Sequence, residues 1–218
     1  MAESKLDAVY GATSPTELAS AYDEWAASYD SDMAEVGYRH PAVGLALLTR
    51  HLPAGSRPIL DAGAGTGLIG ELLGTVGYPE VDALDASPGM LAVARAKNAY
   101  REFHHAFLGQ PLAFEDGKYA AVISTGVFTT GHVGVEGLPE LVRVVRPGGV
   151  VVLSVKVTLW DSGFADYLAQ AKAAGDPFGE VLPLDELHDE GVAAVEGLEA
   201  EERRVGKEGL SRGRSRLP

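Results

Sequence analysis

The period of the apolar positions changes along the chain. From Pro15 onward Leu18, Tyr22, Trp25, Ala26 and Tyr29 recur at three- and four-residue steps, which places them on one helical face. A second helix is predicted from about Pro41 to His51, around "AVGLALL". Short unbroken apolar runs then take over at 58–63, 81–86, 103–109, 119–125 and 149–157. These read as strands, separated by helix-like stretches at 67–77, 87–100 and 134–149. Strands and helices alternating at this pitch predict a parallel sheet covered on both faces. The predicted fold class is α/β, a doubly wound, mainly parallel sheet with N-terminal helices over the ligand site.

The ends are less periodic. Residues 1–15 read as a mobile arm and residues 16–190 as the domain. "DYLAQAKAAG" is helical, but residues 185–202 hold eight carboxylates and residues 203–216 six basic residues, without a β-branched run. Little regular structure is therefore expected beyond about residue 190, and 191–218 reads as a poorly ordered charged tail.

The candidate chemistry starts at "PILDAGAGTGLIG", residues 58–70. A strand that ends in a glycine-rich turn and opens a helix lets ligand atoms approach the backbone, with the first helical amides pointing at them. Gly65 to Gly70 satisfies G-x-G-x-x-G, the dinucleotide pattern. Asp61 argues against a pyrophosphate, because a carboxylate at the strand end repels one. A ligand positively charged beside Asp61 fits better, as S-adenosylmethionine (SAM) is through its ammonium and sulfonium groups. Asp85, at the end of the next strand, can accept two hydrogen bonds from a ribose diol. It can also cap the helix near Ser87-Pro88, although Ser87 is the better cap.

Composition narrows the partners. Eighteen basic against 31 acidic residues give a formal net charge of −13, which repels phosphate backbones. A small-molecule substrate is expected, with no nucleic acid and no membrane, in a monomer or homodimer. The chain has no cysteine, which excludes disulfides and thiolate metal sites. No apolar run reaches the roughly 18 residues of a membrane span and no cationic-then-apolar leader opens the sequence, so the expected location is cytoplasmic. The six histidines show no H-x-x-x-H or H-x-x-E-H spacing, so no metal site is expected.

Over roughly residues 18–157 the sequence resembles the class I SAM-dependent methyltransferases of the small-molecule type. "DAGAGTG" resembles their first motif, D-x-G-x-G-T-G, and "LDASPGML" their second. "LAFEDGKYAAVIS" and "ELVRVVRPGGVVVLS" resemble the segments leading into the fourth and fifth strands. "YDEWAASYDSD" further resembles the subfamily that includes the Williams-Beuren syndrome region methyltransferase. The resemblance implies SAM as cofactor and S-adenosylhomocysteine as product. It implies that Asp61, Ala62, Gly63, Ala64, Gly65, Thr66 and Gly67 form the cofactor loop. Asp85 and Ala86 would hold the ribose, Met90 would pack on the adenine, and Leu108 and Gly109 would lie beside it. Thr125 would stand at the end of the fourth strand, and Tyr29 and Arg39 would close over the methionine end. Leu108 stands where the family has an acid, so adenine recognition would rest on main-chain groups. Ala120 replaces an aspartate, and residues 185–218 lack a convincing sequence for the family's two closing antiparallel strands. An open edge on the fifth strand would favour association.

Methyl transfer from a sulfonium is an in-line displacement, for which placement and exclusion of water supply most of the acceleration. A hydroxyl or acidic carbon needs a base, whereas a thiolate, neutral amine or carboxylate does not. His132, in "TGVFTTGHVG", is the candidate base, with an ordinary pKa of about 6.5; a loop histidine without a catalytic part is the alternative. His104 and His105 lie in a predicted strand and read as structural. Two other readings stay open: an NAD(P)-dependent oxidoreductase built on the glycine loop, and a SAM- or partner-binding module with little activity.

Overall fold

The computed structural model describes residues 2–174 and 190–196. Among these, six strands form one sheet: β1 (Ile59–Ala62), β2 (Val81–Asp85), β3 (Glu102–His105), β4 (Tyr119–Phe128), β5 (Val145–Lys156) and β6 (Glu190–Glu196), in the order β3-β2-β1-β4-β5-β6. β1 to β5 run parallel, and β6 pairs antiparallel with β5. The sequence-predicted doubly wound sheet is therefore present. Strand order reverses between β1 and β4, and the crevice at the carboxyl ends of such a pair is where open α/β sheets bind ligands.

The central strands are apolar runs because both of their faces are covered. The pleat then sorts alternate residues. Ile59, Ala121, Ile123, Val150 and Val152 pack with Leu47 and Leu48 of α4 (His40–His51) and Ile69 and Leu73 of α5 (Leu68–Thr75). Leu60, Val122, Val151 and Leu153 face the other way, against Leu138 and Leu141 of α7 (Leu138–Arg143) and Leu168 of α9 (Ala165–Ala174). α6 (Pro88–Ala96) covers β2 and β3; a short α8 (Val157–Leu159) and a π-turn at Trp160–Phe164 lead from β5 into α9.

Three helices precede the sheet: α1 (Ala2–Tyr10), α2 (Pro15–Trp25) and α3 (Tyr29–Glu35). Ser14 caps α2, its hydroxyl accepting from the Glu17 amide, and Pro15 occupies the first turn, where the missing N–H costs nothing. Val9, Trp25, Ala26 and Met33 form a small core with Met90 of α6. The stretch expected as an arm thus contains α1, whose Val9 is 2% exposed.

Two boundaries and one strand differ from the sequence-based expectation. β4 runs on to Phe128 across a register shift after Ser124. β5 starts at Val145, inside the stretch expected to be helical, because Pro147 and two glycines stop α7 and the chain pairs with Tyr119 before a bulge. β6 corrects the expectation of little regular structure beyond residue 190: its backbone pairs with β5 from Val150↔Glu196 to Lys156↔Glu190. Long-range pairing with an already apolar neighbour forms that strand, which no local β-branched run announces. The remainder of the expected tail, 197–218, lies outside the described residues.

Candidate functional site

The turn after β1 is shaped by its glycines. Gly63 has φ +81° and sits against β4's extension so closely that a Cβ there would lie 2.2 Å from Val127 Cγ2. Gly67 has φ +87° and caps α5, with Ala94 of α6 and Tyr100 pressed against it. The Gly63 and Ala64 amides donate to the Leu84 carbonyl of β2, at 2.8 and 3.0 Å, which ties the turn to the neighbouring strand.

Two carboxylates stand at the ends of β1 and β2. Asp85 accepts from the Gly65 amide through Oδ2 and from the Ser87 amide through Oδ1, both at 2.8 Å. Each oxygen keeps a lone pair for a ligand, and burial raises its pKa against the pull of these amides. Ser87 is the cap of α6, accepting from the Met90 amide at 3.0 Å. Asp61 is 1% exposed and accepts from the Tyr100 hydroxyl at 2.6 Å. Burial pushes its carboxyl up to about 7, Tyr100 lowering it and the Asp85 charge adding to the rise.

An open cleft of about 840 Å³, counted to its mouth, runs from α2 past Gly63 and Gly65 to the ends of β2 and β4. Tyr29, Asp85, Ala86, Met90, Leu108, Thr125 and His132 line it. A smaller recess shares Tyr29, Gly63, Gly65 and Thr125 with it and adds Asp61, Ala64 and Thr66. The structure thus gathers most of the residues singled out from the sequence around one crevice. Ala62 is fully buried in β1 and supports the turn from behind, and Gly67 and Gly109 shape backbone without lining the cleft. Arg39 is not brought to the others: it is exposed at the start of α4 and lines neither space. Thr66 donates its hydroxyl to Asp30 of α3, so its side chain secures a helix.

His132 follows β4 and faces α2. Its Nε2 lies 3.0 Å from the Tyr22 hydroxyl and its Nδ1 2.9 Å from Thr129 Oγ1. Burial lowers its pKa, the Lys156 charge acting the same way and the Thr130 carbonyl opposing. His104 and His105 lie in β3, the first edge-on to Phe114 and the second with Nε2 2.9 Å from the Ala86 carbonyl.

Sequence reasoning missed several contributors. Tyr100, the partner of Asp61, is 39 residues away in sequence and carries no local signal. Asp23 accepts from Ser87 Oγ and from the Gly89 amide, fastening α2 to α6. Pro15, Leu18, Ala19 and Tyr22 line the cleft at steps of three and four, and that stripe was legible as a helix face but not as a wall. Asp82, Glu102 and His104 approach within 4.8 Å of one another. Asp82 already accepts from Arg101 at 3.0 and 2.9 Å and from Tyr119 at 3.0 Å, so cationic and hydroxyl donors occupy that cluster.

Residues 59–149 match the family described as "Methyltransferase domain". Human methyltransferase-like protein 27 is 36% identical over 155 residues, spanning 70% of this chain and 63% of the relative. Malonyl-[acyl-carrier protein] O-methyltransferase of Serratia marcescens is 36% identical over 139 residues, spanning 63% of this chain and 51% of the relative. The chain therefore spans between about half and two thirds of the length of these curated relatives. In three dimensions it resembles one chain of a solved structure described as a complex between the Haloferax volcanii Trm112 methyltransferase activator and a putative methyltransferase. The TM-score is 0.64 and the identity 19%, covering 82% of this chain and 98% of the other. That likeness identifies the fold, the Rossmann-like fold of class I methyltransferases. No helix among the described residues is long and apolar enough to cross a membrane.

Proposed function

We propose that this chain, whose residues 59–149 match the family described as "Methyltransferase domain", binds SAM in the cleft and transfers its methyl group to a small-molecule acceptor by in-line displacement. The observation that carries the reading is a pair of carboxylates, Asp61 buried at the end of β1 and Asp85 half-buried at the end of β2, around a turn of bare backbone. A dinucleotide's diphosphate would meet the Asp61 carboxylate at the turn, whereas a cation with a ribose finds a partner at each acid.

The residues present fit such a ligand. Asp85 would receive the ribose hydroxyls, its two amide bonds holding the carboxylate in place while it does so. Met90 and Leu108 would cover the adenine from either side, with main-chain groups near Leu108 and Gly109 standing in for an acid. Asp61 would meet the ammonium group, and Tyr29, packed edge-on against Trp25 at 4.9 Å, would screen the methionine end from water. Bound there, SAM supplies an electrophilic methyl group on a sulfonium. The chain's own task is placement: α2 and α3 close the cleft, and the turn after β1 fixes the depth at which the ligand rests.

Calorimetry with SAM, S-adenosylhomocysteine and NAD tests this directly. SAM and its product are expected to bind and NAD to fail; binding of NAD alone overturns the reading. Asp85→Ala is expected to weaken SAM binding by about 1–3 kcal/mol, the range for losing a hydrogen-bonded charge. SAM binding without methyl transfer to any compound of a metabolite extract would identify a binding module instead.

A further inference from the structure

The far side of the cleft holds a polar pair that cofactor binding does not use. α2 presents Pro15, Leu18, Ala19 and Tyr22 to the cleft, and His132 and Val133 face them from the loop after β4. The wall is apolar except where the Tyr22 hydroxyl meets His132 Nε2 at 3.0 Å. His132 Nδ1 lies 2.9 Å from Thr129 Oγ1. A threonine hydroxyl can accept, so Nδ1 can donate its proton to Thr129 Oγ1, which leaves Nε2 to accept from the Tyr22 O–H.

The surroundings keep the pair neutral at rest. Lys156 lies 4.6 Å over the Tyr10 ring, and Tyr10 stands edge-on to His132 with centroids 5.5 Å apart. Tyr29 approaches Tyr22 edge-on at 6.4 Å, and Asp85 is the carboxylate whose charge reaches Tyr22. A neighbouring ammonium and burial both disfavour an imidazolium, while the phenol is disfavoured from ionising. A neutral imidazole behind a neutral phenol can take up one proton through the phenol oxygen.

Resting on the methyl-transfer reading above, we propose that Tyr22 and His132 remove the acceptor's proton, and that the acceptor is an apolar hydroxyl compound. The acceptor's hydroxyl oxygen forms its bond to the methyl carbon as the carbon–sulfur bond breaks, the electron pair staying on sulfur. The hydroxyl proton passes to Tyr22 Oη, and the Tyr22 proton passes to His132 Nε2. The positive charge lost from the sulfonium ends on the imidazolium, so protons and charge balance. Tyr22 touches the acceptor; His132 acts through it. A thiolate or neutral amine would have no use for this arrangement.

The test pairs two probes of similar shape, phenol and thiophenol, the second already ionised near neutral pH. The wild-type protein is expected to methylate phenol, with a rate that rises with pH and levels once His132 is neutral. In Tyr22→Phe and in His132→Gln the ratio of phenol to thiophenol methylation should fall by about 100-fold or more, while S-adenosylhomocysteine affinity stays within about threefold. Nitrogen NMR of the S-adenosylhomocysteine-loaded protein should show His132 protonated on Nδ1 and bare on Nε2. Equal loss for both probes, phenol turnover surviving in both variants, or a proton on Nε2 overturns the proposal. So does a wild-type protein that binds SAM yet methylates only thiophenol or neither probe. Absence of SAM binding in the wild-type protein is a different result, and it removes the premise along with the proposal.

Discussion

The central sheet and the three helices over its mouth are held by different forces. Strand β1, residues 119–124 of β4 and residues 149–155 of β5 are buried on both faces. Helices α2 and α3 bury Trp25 and Met33, but their fastening to the cleft runs through carboxylates. Asp23 holds Ser87 and Gly89, and Asp30 holds Thr66 and Lys97. Apolar burial is non-directional and summed over many contacts, whereas a carboxylate bond is directional and local. A frame built the first way opens only by unfolding. A cover built the second way can be loosened one bond at a time, which suits helices that must admit and release a ligand.

The largest expected effect breaks the frame. Leu153 in β5 is fully buried between Leu60's face of the sheet and α7, and Leu153→Ala leaves a cavity there. Urea unfolding should show a loss of about 2–5 kcal/mol. A loss below about 1 kcal/mol would mean that the frame relaxes like the cover.

The next effect comes from where frame and cleft meet. Burial raises Asp61 from 3.8 to about 7, so the folded state favours its neutral form. In the unfolded chain the same carboxyl ionises near its ordinary value. The folded state therefore holds the proton more tightly, and its contribution to stability is complete below about pH 4 and lost as pH rises through 7. Asp61→Asn keeps an acceptor for Tyr100 and removes the slope, and should stabilise the ligand-free protein by about 2 kcal/mol at pH 8. SAM affinity in the wild-type protein should rise with pH up to about 7 and then level, because the ammonium needs the ionised carboxylate. Urea titrations and calorimetry across pH measure the two slopes, and flat curves would remove Asp61 from that role.

The contrast also explains what the sequence revealed. Doubly buried strands advertise themselves as unbroken apolar runs, so β1, β2 and β4 were located within a few residues, and the glycine turn with Asp61 and Asp85 was legible because its spacing is local. The cover was legible only as helix faces. Asp23, Asp30 and Tyr100 act on partners 64, 36 and 39 residues away, and no periodicity encodes a single long-range hydrogen bond. β6 escaped for the related reason that its pairing with β5 exists only in the fold. Arg39 was placed by family resemblance alone, and the structure leaves it exposed at the start of α4.

A smaller effect should follow from unfastening α2. Asp23 accepts from both Ser87 Oγ and the Gly89 amide at the first turn of α6. Asp23→Ala leaves the Ser87 cap to Met90 intact, so global stability should fall by only about 1 kcal/mol. The cover should open more often, and S-adenosylhomocysteine affinity should drop by about tenfold, with dissociation accelerated more than association slowed. An equal fall in stability and affinity would place Asp23 in the frame instead.

The smallest expected effect separates a fastening from a surface ion pair. Lys97 lies 2.7 Å from Asp30 Oδ2 and 3.0 Å from Glu71 Oε2, bridging α3 and α5 from just beyond the end of α6. Its side chain is 15% exposed, but Asp30 and Glu71 are 38% and 51% exposed, so water screens most of the attraction. Lys97→Met keeps the buried stem and removes the charge, and should cost about 0.5 kcal/mol in urea unfolding at low salt and less at high salt. Asp30 still accepts from the Thr66 hydroxyl in that variant, so α3 stays attached to the glycine turn and ligand affinity should change less than threefold. A tenfold loss of affinity would show instead that α3 is fastened through Lys97, and that the hydroxyl bond alone does not hold the cover closed.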